Sequence, residues 1–336
     1  MKRSALSLLE LTIVMGLISL LLQLLLPAMT VVREAARVVQ CGSHLKAIGV
    51  AANEHHEVHG RLPSGGWHFT WIGEPERGTG DNQPGGWAFN LLDYLAADET
   101  RALGLLLDGD EREAALVQRC RTAIPVFHCP SRRSAMPYPQ TWNTLPLQRD
   151  GRLKEPMEWT AKSDYAACVG DGADVEFPWR WAGPLTLQQG DDPSFAWPAN
   201  SGFTGVIFGR SHIRHRQIRD GLSQTLLAGE KYVDADHYTT GEDFGDNESL
   251  YNGFNNDTCR STLSPPRRDA RGGDLRNAFG SAHASFWQGV MCDGSLRRLD
   301  YSMDAQLVQQ LGNRNNAMGT PATQLTRKGT QYVHAR

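Results

Sequence analysis

The chain has 336 residues with 34 basic and 37 acidic side chains, a formal net charge of −3. This near balance removes the global electrostatic argument for nucleic-acid binding, so no nucleic-acid partner is expected. Six cysteines (Cys41, Cys120, Cys129, Cys168, Cys259 and Cys292) form no Cys-x-x-Cys pair, which argues against a zinc ribbon or a thioredoxin-like site.

The chain opens with Lys2-Arg3 and the small residues Ser4-Ala5, and an apolar run then begins at Leu6. Glu10 is the only charged residue between Arg3 and Arg33. A carboxylate costs about 2.5–3.5 kcal/mol at the centre of a membrane helix and less near its end, so one retained there has a role. From Leu11 to Val32 the run is uncharged and exceeds the roughly 20 residues that span a bilayer. It is too long for the apolar core of a secretory signal, and no small-x-small cleavage site follows it. A plain single-pass anchor is the alternative reading. Lys2-Arg3 favours a cytoplasmic N-terminus, with Arg33 and Arg37 as a counterweight on the far side.

The spacing predicts that the helix continues, because Val31, Ala35, Val38, Cys41, Leu45, Ile48 and Ala52 recur at steps of three and four. Gly60 and Pro63 supply a stop. One helix of about 50 residues would be roughly 75 Å long, its first half suited to the bilayer and its second half amphipathic. Beyond it, residues 99–122 have helical character, residues 132–160 and 173–202 read as long loops, and residues 203–208, 222–230 and 286–299 read as strands. Asp293-Gly294 divides the last of these as a hairpin turn. The expected fold class is α+β, with a long N-terminal helix on an antiparallel sheet carrying large insertions. The expected divisions are residues 1–5, 6–32, 33–60 and a β-rich unit over 61–336.

The order Lys2-Arg3, Ala5, Leu6, Glu10 and long apolar helix resembles the class III signal of type IV prepilins and type II secretion pseudopilins. The resemblance implies a prepilin peptidase/N-methyltransferase as partner, cutting between Ala5 and Leu6 and methylating the new amino group. It implies that Glu10 pairs with the amino terminus of a neighbouring subunit, and that Pro27 stands where many pilins bend their helix. Ala5 departs from the glycine the family prefers. Four later blocks resemble the domain of unknown function 1559 family: Arg33–Arg37 with Cys41–Gly49, Phe127-His-Cys129-Pro-Ser131, Ile218-Arg-Asp-Gly…Glu230, and His283 followed by nine residues and Asp293-Gly294. Together the two resemblances imply a pilin-like structural subunit, single-pass in a bacterial cytoplasmic membrane, its large domain outside, joining other pilin-like subunits through its helix. A rival of another class is an anchored extracytoplasmic binding protein for a carbohydrate, peptide or ion.

Neither catalysis, a cofactor nor a metal is expected. His55-His56-Glu57-Val58-His59 misses the His-Glu-x-x-His spacing by one residue, leaving His55 and His59 as a weak i, i+4 pair. His283, Asp293 and Gly294 read as structural, with His283 bonding the loop before the hairpin and Asp293-Gly294 supplying positive backbone angles. No Gly-x-Ser-x-Gly elbow provides a nucleophile for that histidine. The acidic stretch Glu242–Glu248 offers oxygens for calcium but lacks the EF-hand pattern. Trp179, Arg180 and Trp181 could stack on a sugar or peptide, although tryptophans more often bury their rings under loops. Cys41 on the buried helix face and Cys129 are a candidate disulfide that would close a loop of about 90 residues, at about 4–5 kcal/mol in the chain-entropy treatment. Free buried thiols are the alternative.

Overall fold

The computed structural model describes residues 8–141, 145–175 and 183–316. Ala5 and Leu6 lie outside the described residues.

Helix α1 runs unbroken over Leu8–His59, 52 residues, with Pro27 inside it. It stops where the sequence placed the stop: Gly60 takes φ +70° and its N–H bonds the His56 carbonyl at 2.7 Å. Glycine adopts this left-handed cap without the Cβ penalty. The two halves of α1 differ. Its most apolar 18-residue window has a mean hydropathy of 2.2 and no part of it is buried. From Glu34 onward one face turns into the protein, with Glu34 and Val38 half-buried and Cys41, Leu45, Ile48, Ala52 and His55 buried. The predicted stripe therefore begins later than expected, since Val31 and Ala35 remain exposed.

That face lies on a five-stranded sheet made of β1 (Tyr165–Gly170), β2 (Leu226–Glu230), β3 (Cys259–Ser261), β4 (Phe286–Met291) and β5 (Leu296–Asp300). The spatial order is β5-β4-β2-β1-β3; only β1 and β3 run parallel, and the other neighbours are antiparallel. Alternation along β1 sends Ala167 and Val169 toward the α1 side and Ala166 and Cys168 toward the other. The second face is closed by α2 (Ala305–Gly312), whose Val308 and Leu311 pack with Trp287, Met291 and Leu299. Both faces are thus covered, so β1 is buried along its whole length, a strand that the sequence analysis did not mark.

The hairpin at β4–β5 has Gly294 at φ +81°, with its N–H on the Met291 carbonyl at 2.9 Å. Val290 pairs with Leu296. Asp293 does not share the positive φ; its Oδ1 accepts from the Ser295 N–H at 2.8 Å and from its hydroxyl. The expectation that both Asp293 and Gly294 carry positive angles is corrected accordingly, because the carboxylate holds the turn while glycine alone takes the left-handed step. Gly294→Val should cost about 1–3 kcal/mol through backbone strain. Thermal unfolding of detergent-extracted protein measures this, and an unchanged melting temperature would contradict it.

Several sequence readings change: residues 132–160, read as a loop, carry four two-residue strands, and residues 173–202 include the short helix Leu187–Asp191. The helical stretch over 99–122 is two pieces, Asp98–Ala102 and Gly109–Arg121. Residues 203–208 form no strand. The N–H groups of Val206 and Ile207 converge on one acceptor, the Cys168 carbonyl, at 3.2 and 3.3 Å. A Cβ on Gly205 would fall 2.4 Å from the Gly170 nitrogen, so the segment crosses the end of β1 at close range instead of laddering beside it.

Candidate functional site

Where α1 meets the sheet, four side chains from distant parts of the chain converge. Cys41 comes from the buried face of α1, Cys129 from the turn after Phe127, Glu230 from the end of β2, and His283 from the turn before β4. Their ligand atoms all lie within 4.8 Å of one another. His283 Nε2 is 3.1 Å from Glu230 Oε1, Cys129 Sγ is 3.7 Å from the same oxygen, and Cys129 Sγ is 4.0 Å from Nε2. All four residues are at most 2% exposed, so the group is closed to solvent.

Each member is held from behind. His283 Nδ1 donates to Glu34 Oε1 at 3.0 Å, and Glu34 also accepts from the Ser131 hydroxyl at 2.9 Å. Glu230 Oε2 accepts from the Gln288 N–H at 2.8 Å, while the Gln288 side chain donates to the Val38 carbonyl on α1 at 3.0 Å. The Cys129 N–H donates to Asp164 Oδ2 at 2.7 Å. Burial opposes a charge on His283, but hydrogen bonds with Cys129 and Glu230 outweigh it and push the ring up to about 10. The hydrogen bond with Cys41, reinforced by burial, lifts the Cys129 thiol well above its ordinary range.

The structure brings the candidate disulfide pair together with no bond drawn between them, and the two sulfurs face Glu230 and His283 as well as each other. His283 does not serve the hairpin, because its ring turns under α1 while Asp293 and Gly294 sit at the far end of β4. Glu230 closes one of the resemblance blocks and Glu34 lies within another, but neither was given a role from the sequence; the remaining signals were a carboxylate ending the apolar run Leu226–Glu230 and another on the helix face that carries Cys41. A buried carboxylate demands partners.

Other candidates resolve into structural contacts. His55 bonds the Arg61 carbonyl at 3.0 Å, burial pushing its ring down to about 4, and His59 meets the Tyr94 hydroxyl at 3.0 Å. His56 stacks on His215 at 3.5 Å, and its Nε2 accepts the His215 N–H at 3.2 Å. In the acidic loop, Asp243 accepts from the N–H groups of Asp234 and Gly245, Asp246 pairs with Arg133 and Lys231, and Glu248 accepts from Asn252 and Asn255. These oxygens already carry protein donors. Trp67, Trp71 and Trp87 are buried with their indole N–H groups on backbone carbonyls. Trp179, Arg180 and Trp181 lie outside the described residues.

The model of one protein family, described as Protein of unknown function (DUF1559), matches residues 30–306. No curated protein and no solved structure matches the chain. Each of the four segments that carry the sequence resemblance delivers one member of the buried cluster: Cys41, Cys129, Glu230 and His283 in turn.

Proposed function

The chain belongs to the DUF1559 family, and from that premise we propose that it is a membrane-anchored, pseudopilin-like structural subunit. Its leader is cut between Ala5 and Leu6 by a prepilin peptidase that also methylates Leu6, and its domain stands outside the cytoplasmic membrane. One observation carries this reading: a single continuous helix is exposed at the described side chains of its apolar half and buried along one face on its own domain over the other half. Residues 8–32 of such a helix reach about 37 Å, enough for a hydrocarbon core of about 30 Å. Among the described residues the apolar half contributes none to the domain's core, so its surface is available to lipid and to the same helix of other pilin-like subunits.

Glu10 sits in the first turn on that exposed surface. Paired with the methylated, still cationic amino terminus of a neighbour, it forms an ion pair in a low-dielectric setting. Glu10→Gln should therefore abolish assembly and leave insertion intact, since removing the charge only eases partition into lipid. Cross-linking in whole cells checks this. An oligomer ladder identical to wild type in the variant would count against the pairing.

The rival, an anchored binding protein, has one observation in its favour. A polar hollow of about 550 Å³ is lined by His212, Arg214, Arg216, Arg219 and Arg314, a setting for an anion. A monomeric extracted protein that binds an anionic ligand saturably, with no cross-linked ladder, would favour it over the filament subunit.

A further inference from the structure

We propose that Cys41, Cys129, Glu230 and His283 form a structural zinc site that fastens the second half of α1 to the sheet. The donor set is two sulfurs, one imidazole nitrogen and one carboxylate oxygen, the ligand types and number zinc takes. A tetrahedron built with zinc–ligand bonds of about 2.0–2.3 Å has edges of roughly 3.3–3.8 Å. The separations of 3.1, 3.7 and 4.0 Å among Cys129, Glu230 and His283 bracket those edges, and the Cys41 sulfur lies within 4.8 Å of the other three donors, so side-chain adjustments of about 1 Å bring the atoms onto one ion. Two sulfurs exclude the hard cations calcium and magnesium, which take oxygen, and a compact four-donor cluster suits zinc better than the square-planar preference of copper(II).

The surroundings agree. His283 presents Nε2 to the cluster and commits Nδ1 to the Glu34 carboxylate, the carboxylate–histidine arrangement that orients a metal-bound imidazole. Glu230 presents Oε1 and anchors Oε2 on the Gln288 amide. Burial of all four residues leaves no open coordination position, which separates a structural site from a catalytic one. The other four cysteines are buried apart from this group; burial pushes Cys168 and Cys259 up to about 12. Binding balances simply: Zn²⁺ enters, the Cys41 and Cys129 thiols each release a proton, and His283 gives up its Nε2 proton while Glu230 coordinates as the carboxylate.

The site links α1 to three separate parts of the domain, so it fixes how the membrane helix leaves the sheet. This holds whether or not the helix assembles into a filament. The test uses the full-length protein, extracted from membranes in mild detergent with no chelator and no added metal. Elemental analysis should find about one zinc per chain. Exchange for cobalt(II) should give intense tetrahedral d–d bands and thiolate-to-cobalt charge transfer, and Cys129→Ser should lose both zinc and the charge-transfer band. Because a ligand variant can misfold, Glu34→Ala supplies the second arm. Glu34 is half exposed, so the fold should persist while zinc affinity, read by competition with a chromophoric chelator, falls roughly 10–100-fold. The proposal is overturned if the wild-type chain carries no zinc, if its mass shows two hydrogens lost to a Cys41–Cys129 bond, or if its cobalt form lacks thiolate charge transfer. Full zinc retention in Cys129→Ser, or unchanged affinity in folded Glu34→Ala, would also overturn it.

Discussion

Asp164→Ala should lower stability by about 3–5 kcal/mol, the cost of stranding buried charges without their counterion. Asp164 lies in β1's approach, fully buried, with Arg132 at 3.1 Å and Arg133 at 2.8 Å from Oδ1. Those guanidiniums, both buried, also reach Asp269 and Asp246, and Asp246 in turn meets Lys231 at 2.9 Å. The network is therefore a closed set in which each charge depends on its neighbours. Its second carboxylate oxygen holds the Cys129 amide, so the same loss loosens the turn that presents Cys129. Burial raises the carboxyl pKa of Asp164 and Asp246, but Arg133 and the other cations beside them more than reverse this and hold both below the usual carboxylate range. A depressed folded pKa means the stabilisation is present above the unfolded value, near 3.9, and is lost as pH falls through the folded values. The wild-type protein should accordingly lose stability below about pH 4, and Asp164→Ala should show less of that acid dependence. The melting temperature at neutral pH should fall on the order of 10 °C. A variant within 2 °C of wild type, with the same acid profile, would show that the network contributes no such stability.

Gly49→Leu should separate α1 from the sheet. A Cβ at this helical position would lie 2.5 Å from Val290 Cγ2 and 3.2 Å from the Gly294 backbone, and Val290 is a stiff, fully buried side chain on β4. One heptad earlier, a Cβ on Gly42 would meet Leu296 and Gln288 at 2.7 and 2.8 Å. Glycine inside a helix costs roughly 0.5–1 kcal/mol relative to alanine, so a pair on the sheet-facing side reflects close approach of helix and strand. Gly49→Ala is the diagnostic variant, because propensity alone would make it stabilising by about 1 kcal/mol. With this geometry it should instead destabilise, and Gly49→Leu should cost about 3 kcal/mol or more through overpacking. Denaturant unfolding decides the sign; a more stable Gly49→Ala would mean that the helix does not sit this close.

Much of the architecture was legible because it is written locally. The apolar run, the three-and-four spacing through Cys41, Leu45 and Ile48, and the Gly60 stop gave α1 nearly to its ends. Asp293-Gly294 gave the hairpin. The buried cluster was not legible, since its members stand at positions 41, 129, 230 and 283 and share no local spacing. Cysteine arithmetic searches for near neighbours, and here the sheet topology assembles the set. Only Cys41 and Cys129 were paired in advance, and as a disulfide. Residues 203–208 misled for a different reason: they are apolar because they are buried, and burial alone does not imply a strand. Arg132 and Arg133 carried no sequence signal of burial, because their counterions come from residues 164, 246 and 269.

The central claim is that this helix is a processed, prepilin-type N-terminus, and the mass of the N-terminal peptide of membrane-extracted protein tests it most directly. Ala5→Gly in parallel restores the residue that prepilins prefer before the cut and should leave or improve processing. The account predicts a chain that begins at Leu6 with one added methyl group and retains Glu10 and the whole apolar helix. An intact Met1, or a chain that starts beyond Val32, would contradict it.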